Sequence, residues 1–224
     1  MEAKRHLIST ETAITIAENL YQNNTFHHQY DHEKHTLLIT GKDEALEIQL
    51  RLPIHYKFSH PDAIVNYLIV LVQTENSAIG YFEGTENIDH KAFSSYGVRK
   101  KQGKSQIKYL KTRGKSKAGS RVRLGNTTNF FEKINTRLQD HFNDYEIERI
   151  AFSCSKILLP FLFKASVPCP FDKKDERIFK IPRHIHTANY EELLNVHKFL
   201  QKGELIYSEE QQTFAEQILD LGNS

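Results

Sequence analysis

Apolar residues recur along the chain with two different periods, and the places where one gives way to the other outline its elements. In residues 10–23, Ile14, Ile16, Ala17 and Leu20 fall at roughly helical spacing, with Thr10 as the N-cap. Residues 25–30 and 35–40 read as two strands around the polar turn of Asp31, His32, Glu33 and Lys34. Across 45–52 the pattern alternates, placing Leu46, Ile48, Leu50 and Leu52 on one side of a half-buried strand that Pro53 ends. Residues 63–73 are almost continuously apolar and rich in Val, Ile and Leu, the mark of a central strand covered on both faces. Residues 78–82 supply its partner across a short turn, and 89–98 lead into a long polar stretch that leaves one end of the sheet.

Helical spacing returns at 126–142, where Phe130, Phe131, Ile134, Leu138 and Phe142 share a face and Asn126 or Thr127 is the expected cap. A strand at 147–153, a short apolar helix at 156–164 and a turn at Pro168 and Pro170 follow. A strand at 178–181, a helix at 189–201 and a terminal helix at 209–221 complete the chain. Strands alternating with helices after an antiparallel start predict an α/β fold with a mixed sheet. No shift in composition marks a second domain, so residues 1–224 are expected to form a single domain around one core.

Composition narrows the class. Apolar residues make up 39% and charged residues 26%, the balance of a globular protein. The longest apolar run, residues 67–72, is too short to cross a bilayer, and the first residues lack the apolar stretch of a signal peptide. Cys154 and Cys169 are too few for a disulfide framework or a four-ligand zinc site. A cytoplasmic protein with reduced thiols, no membrane contact and a monomeric state is the expectation.

The formal net charge of +2 conceals a segregation. Residues 99–123 hold eleven of the thirty Lys and Arg residues and no acid, leaving nineteen basic against 28 acidic residues elsewhere, a net of −9. Such a segment sets up a local field for an anionic partner. On a phosphate backbone its charges would be neutralised and counterions released, so binding would weaken steeply with salt. Gly103, Gly114 and Gly119 permit tight turns, and Tyr109 can stack on an unpaired base. The plain alternative is a solvated surface loop that serves solubility or weak attraction.

The same segment carries a pattern. Tyr96, Val98, Arg99, Lys101, Gln102, Gly103 and Gln106, followed by Ala118, Gly119, Ser120 and Arg123, resemble the signature of the Vms-type release-factor-like domain. That domain occurs in the ankyrin-repeat and zinc-finger peptidyl-tRNA hydrolases and tRNA endonucleases of ribosome quality control. The resemblance runs from about residue 67 to residue 200 and includes Ile181, Pro182 and Arg183. It implies kinship with the middle domain of eukaryotic-type peptide chain release factors and an RNase H-like α/β fold. It further implies a mobile loop at 99–124 that enters the peptidyl-transferase centre and acts on peptidyl-tRNA of a stalled large ribosomal subunit. The chain departs from the pattern at Lys104, where release factors and several members have a second glycine, and Ser116 and Lys117 are transposed. Leu124 stands where a second Arg is common.

By that resemblance Gln106 is the expected catalytic residue. Its amide does not titrate, but it can accept through oxygen and donate through nitrogen. Two roles are open: orienting water at the ester carbon that joins peptide to tRNA, or positioning the ribose 2′-OH against the adjacent phosphate. Tyr96, Arg99, Lys100, Lys101, Gln102, Gly103, Lys104, Ser105, Lys108, Tyr109, Arg113, Lys115, Lys117, Ser120, Arg121 and Arg123 are the expected RNA contacts. With no carboxylate in the segment, chemistry without a metal or other cofactor is expected. A second reading, from a different class, is a module that binds tRNA or rRNA without chemistry, and Lys104 keeps it open.

Other candidates receive plainer readings. His27, His28, His32 and His35 crowd one hairpin, but alternation places His27 and His28 on opposite faces, so surface polar roles are expected in place of metal ligation. His184 and His186 share a face of an extended stretch and are read the same way. Cys154 is expected to be a small buried residue. Phe161, Leu162 and Phe163 are read as core, and residues 173–177 as a mixed-charge turn without a role.

Overall fold

The computed structural model describes residues 3–23, 26–41, 46–58, 63–95 and 116–222, with 116–126 as backbone only. The apolar run forms β5 (Asn66–Val72), in the middle of a sheet completed by β6 (Asn76–Glu83), β7 (Glu86–Ser94), β8 (Arg149–Cys154) and β9 (Ile178–Lys180). The spatial order is β7-β6-β5-β8-β9. The first three strands form an antiparallel meander, and β8 and β9 then run parallel to β5. This is the mixed sheet that an RNase H-like fold requires.

A strand buried on both faces must be apolar at every position, and β5 is. Tyr67, Ile69 and Leu71 point to one side, where α4 (Tyr190–Leu200) lays down Leu193, Val196 and Leu200. Leu68, Val70 and Val72 point to the other, under Phe130, Phe131, Ile134 and Leu138 of α2 (Ser116–Asp144) and Leu162 of the short α3 (Leu159–Phe163). Each such buried side chain contributes roughly 1.5–3 kcal/mol of transfer free energy. Gly80 on β6 lets α4 approach closely, since a Cβ there would lie 2.8 Å from Leu193 Cδ2. Asn189 caps α4 by accepting from the Glu192 amide at 2.8 Å.

Beside the mixed sheet stands a second one, wholly antiparallel, in the order β1-β10-β4-β3-β2. Its strands are β1 (Lys4–Ile8), β2 (His27–Asp31), β3 (Thr36–Thr40), β4 (Glu47–Arg51) and β10 (Gly203–Tyr207). Leu37, Ile39, Ile48, Leu50 and Leu205 pack beneath α1 (Thr10–Asn23) and α5 (Gln212–Asp220). Strands β2, β3 and β4 of this sheet were legible in the sequence, but their separation from the mixed sheet was not. β1 and β10 were not expected at all.

Smaller corrections concern helix ends. Ser9, not Thr10, caps α1, its hydroxyl accepting from the Thr12 amide at 3.0 Å. Thr10 instead donates to the Gln201 carbonyl at 2.7 Å. The terminal helix opens with a 3-10 turn, Glu209–Gln211, under a capping box between Ser208 and Gln211. α2 begins at Ser116, ten residues before the expected cap at Asn126 or Thr127. The sequence of its early turns shows no apolar stripe at helical spacing, so periodicity announced the helix only from about Phe130 onward.

Candidate functional site

β7 and α2 are the two stems of the basic segment, and both are fastened to the body. The strand ends at the carboxyl end of β5 and β8, where the Ser95 amide donates to the Glu75 carbonyl at 2.6 Å. Open α/β sheets bind ligands at this end. Along their length the stems are tied by Asp89 of β7, which accepts from Arg137 and lies 3.3 Å from His141 Nε2, both on α2. His141 is fully buried, and burial holds its pKa below the usual histidine value, with Arg137 acting in the same direction. Asn135 of α2 is buried too and donates to the carbonyls of Leu162 at 2.7 Å and Val167 at 2.8 Å.

Asn129, Phe130 and Lys133 of α2 share a hollow of about 390 Å³ with Phe93, Ser94 and Ser95 of the strand end. Asn129 is therefore level with the last residues of β7, and Arg137 and His141 with Asp89. The helix begins thirteen residues before Asn129, at Ser116. At 1.5 Å per residue, those turns carry its backbone about 20 Å further.

At the same end Gln73, just past β5, donates to the Ile185 carbonyl at 2.9 Å and accepts from the Ala188 amide at 2.9 Å. That clamp positions the stretch holding His184 and His186, whose rings meet edge to face at 5.0 Å. Gln73, Asp89, Asn135, Arg137 and His141 were missed in the sequence. Arg137 and His141 are one helical turn apart, the only signal they offered, and nothing in the sequence pairs them with Asp89.

The expected catalytic Gln106, with Tyr96, Arg99, Lys100, Lys101, Gln102, Gly103, Lys104, Ser105, Lys108, Tyr109, Arg113 and Lys115, lies outside the described residues. Lys117, Ser120, Arg121 and Arg123 fall on the backbone of α2, so residues 116–124 of the expected loop are helical. Three of the plainer readings change. His35 is not a surface residue: it is buried, with φ +52°, its Nδ1 2.5 Å from the Tyr30 hydroxyl and its Nε2 2.8 Å from the Pro53 carbonyl. Burial, then neighbouring Arg149, holds its pKa well below the usual value. Phe161 is 42% exposed, while Leu162 is buried as expected. Cys154 is half-buried, and burial pushes its thiol up to about 12, far from a nucleophile's range. No described helix is long and apolar enough to cross a membrane.

The solved structure of the Vms1 mitochondrial localization core aligns over 88% of this chain and 84% of its own, with 11% identity and a TM-score of 0.43. No curated protein matches the chain significantly. The family model described as Bacteroidetes VLRF1 release factor matches residues 67–208, which take in the mixed sheet, both stems and the basic segment between them. With more than half of its length matched, the chain belongs to the Bacteroidetes VLRF1 release factor family.

Proposed function

We propose that the protein releases nascent chains from peptidyl-tRNA on stalled large ribosomal subunits, as a peptidyl-tRNA hydrolase or tRNA endonuclease of ribosome quality control. The observation that carries this reading is the release-factor family match across residues 67–208, which includes the acid-free segment with Gln106. In this reading the segment's cations hold the acceptor end of the tRNA, close to the partly positive N-terminus of α2. Gln106 orients either water at the ester carbon or the ribose 2′-OH at the adjacent phosphate, without a metal. Arg99, Lys101 or Lys104 stabilises the charge that develops.

The test is incubation with isolated large subunits carrying peptidyl-tRNA, followed by gel analysis and sequencing of the tRNA 3′ ends. An intact CCA end identifies ester hydrolysis, and a shortened tRNA ending in a cyclic phosphate identifies 2′-OH attack. Gln106→Ala is expected to slow release by on the order of 100-fold or more while subunit binding persists. Full activity in that variant removes Gln106 from catalysis. The second reading, a tRNA- or rRNA-binding module, is favoured by Lys104 at the second-glycine position. It wins if the protein binds and both peptide and tRNA stay unchanged.

A further inference from the structure

At the opposite end of the mixed sheet, a cleft of about 1470 Å³ opens between the two sheets. One wall belongs to the antiparallel sheet and the stretch after it, with Tyr30, His32 and Phe58. The other is formed by the first residue of β8, Arg149, and by residues 173–180 running into β9. The volume exceeds the roughly 300–1,000 Å³ of a small-molecule pocket and suits an extended ligand.

The charge of this cleft runs against its surroundings. Outside residues 99–123 the chain has a net charge of −9, yet the lining carries six Lys or Arg residues and four acids. Two of those acids are neutralised within the wall. Glu148 is met by Lys57 at 2.8 Å, and Asp175 by Arg177 through two hydrogen bonds of 2.9 and 2.7 Å. What remains is Arg149, Lys173, Lys174 and Lys180 facing Glu33 and Glu176. The three lysines are exposed. Arg149 is fixed by donating through Nη1 to the carbonyls of Ile54 and Tyr56, with His35 Nε2 2.9 Å away, so its charge is held by neutral groups.

Rings complete the wall facing the lysines. Tyr30 and Phe58 stack with centroids 5.7 Å apart, and His32 meets Tyr30 edge to face at 4.4 Å. A row of cations opposite aromatic faces is the arrangement that holds a single strand, the cations taking phosphates and the rings taking unpaired bases. The geometry points to a second RNA site: this cleft binds a short single-stranded stretch of RNA, independently of the segment around Gln106. The cleft and the end of β7 that leads towards that segment lie at opposite ends of β8, whose six residues span about 20 Å.

The test measures anisotropy of a fluorescein-labelled oligouridine of about twelve nucleotides with the full chain, over a range of KCl concentrations. Lys173→Glu with Lys174→Glu is expected to weaken binding about tenfold. It should also flatten the salt slope by about 1.4, the loss of two phosphate contacts on a single strand. The same loss is expected in a protein whose segment carries Lys100→Gln, Lys101→Gln and Lys104→Gln. Exposed Lys156 and Lys164, away from the cleft, serve as the control pair when changed to Glu. Unchanged affinity and slope in the Lys173/Lys174 variant overturns the site, and so does an equal loss in the control pair. Displacement of the oligouridine by free UMP at equal nucleotide concentration also overturns it, in favour of a mononucleotide pocket. Because the readout is binding, a protein that fails to release peptide but shows the lysine-dependent affinity keeps the cleft and loses only the catalytic reading.

Discussion

The two five-stranded sheets keep their side chains out of water by different rules. The mixed sheet is sandwiched: β5 and β6 are buried at nearly every position, between α4 on one face and α2 on the other. The antiparallel sheet is covered by α1 and α5 on one face, and its edge strands stay largely exposed. The first therefore draws its stability from apolar contact on both sides. The second closes by pairing strands that are remote in sequence, Lys4 opposite Tyr207, and needs polar ties where apolar cover runs out. Its main tie is Glu204 of β10, whose Oε2 accepts from Arg5 of β1 at 3.2 Å and from Arg51 of β4 at 3.3 Å. Arg51 also lies 4.6 Å from the Phe199 ring of α4, reaching the mixed-sheet half.

That contrast can be broken at Glu204. Both members of the Arg51 pair are almost fully buried, at 2% and 5% side-chain exposure. Glu204→Ala strands the guanidinium, so a loss of about 3–5 kcal/mol is expected in urea unfolding. Replacing Arg51 and Glu204 together by Leu should recover most of that loss. If Glu204→Ala costs no more than an average surface change, the antiparallel sheet does not depend on its polar ties.

Acid sharpens the comparison at the junction and in the sandwich. His35 at the junction, and His141 and His197 on opposite faces of the mixed sheet, all have pKa values lowered, first by burial. The folded state holds each neutral, while the unfolded chain takes up protons below about pH 6.5. Stability is thus complete above that pH and lost as the pH falls through it, His35 contributing a slope of at most about 1.4 kcal/mol per pH unit. The His35→Asn variant tolerates the positive φ and does not titrate. Its urea midpoint should fall less steeply between about pH 7 and about pH 5, and an identical slope would remove His35 from this account. The smallest effect is expected at Lys4, paired with Glu209 at 3.3 Å but 44% and 84% exposed. Lys4→Ala should shift stability by less than about 1 kcal/mol, and a larger shift would make the β1 edge a tie of the Glu204 kind.

The sandwich was far more legible in sequence than the sheet beside it. An uninterrupted apolar run such as residues 67–72 has few fates other than a central strand, and Phe130, Phe131, Ile134 and Leu138 define their helix face locally. β1 and β10 gave no such signal. Lys4, Arg5 and His6 alternate with nothing, and β10 carries a charged Glu204 that is buried only because Arg51 and Arg5 meet it. His35 looked like one of four surface histidines, and its burial depends on Arg149, Pro53 and Tyr30 converging from separate elements.

The sequence by itself determined the mixed sheet, its covering helices and the segregation of positive charge around Gln106, because periodicity and composition are local properties of the chain. It also carried the residues by which the family is recognised. Only the tertiary structure decided that a second sheet stands beside the first, that Asp89 ties β7 to α2, and that residues 173–180 face Tyr30 and Phe58 across a cleft. Those arrangements join residues tens to hundreds of positions apart. Their free energies come from pair geometry and desolvation, and no local pattern encodes either.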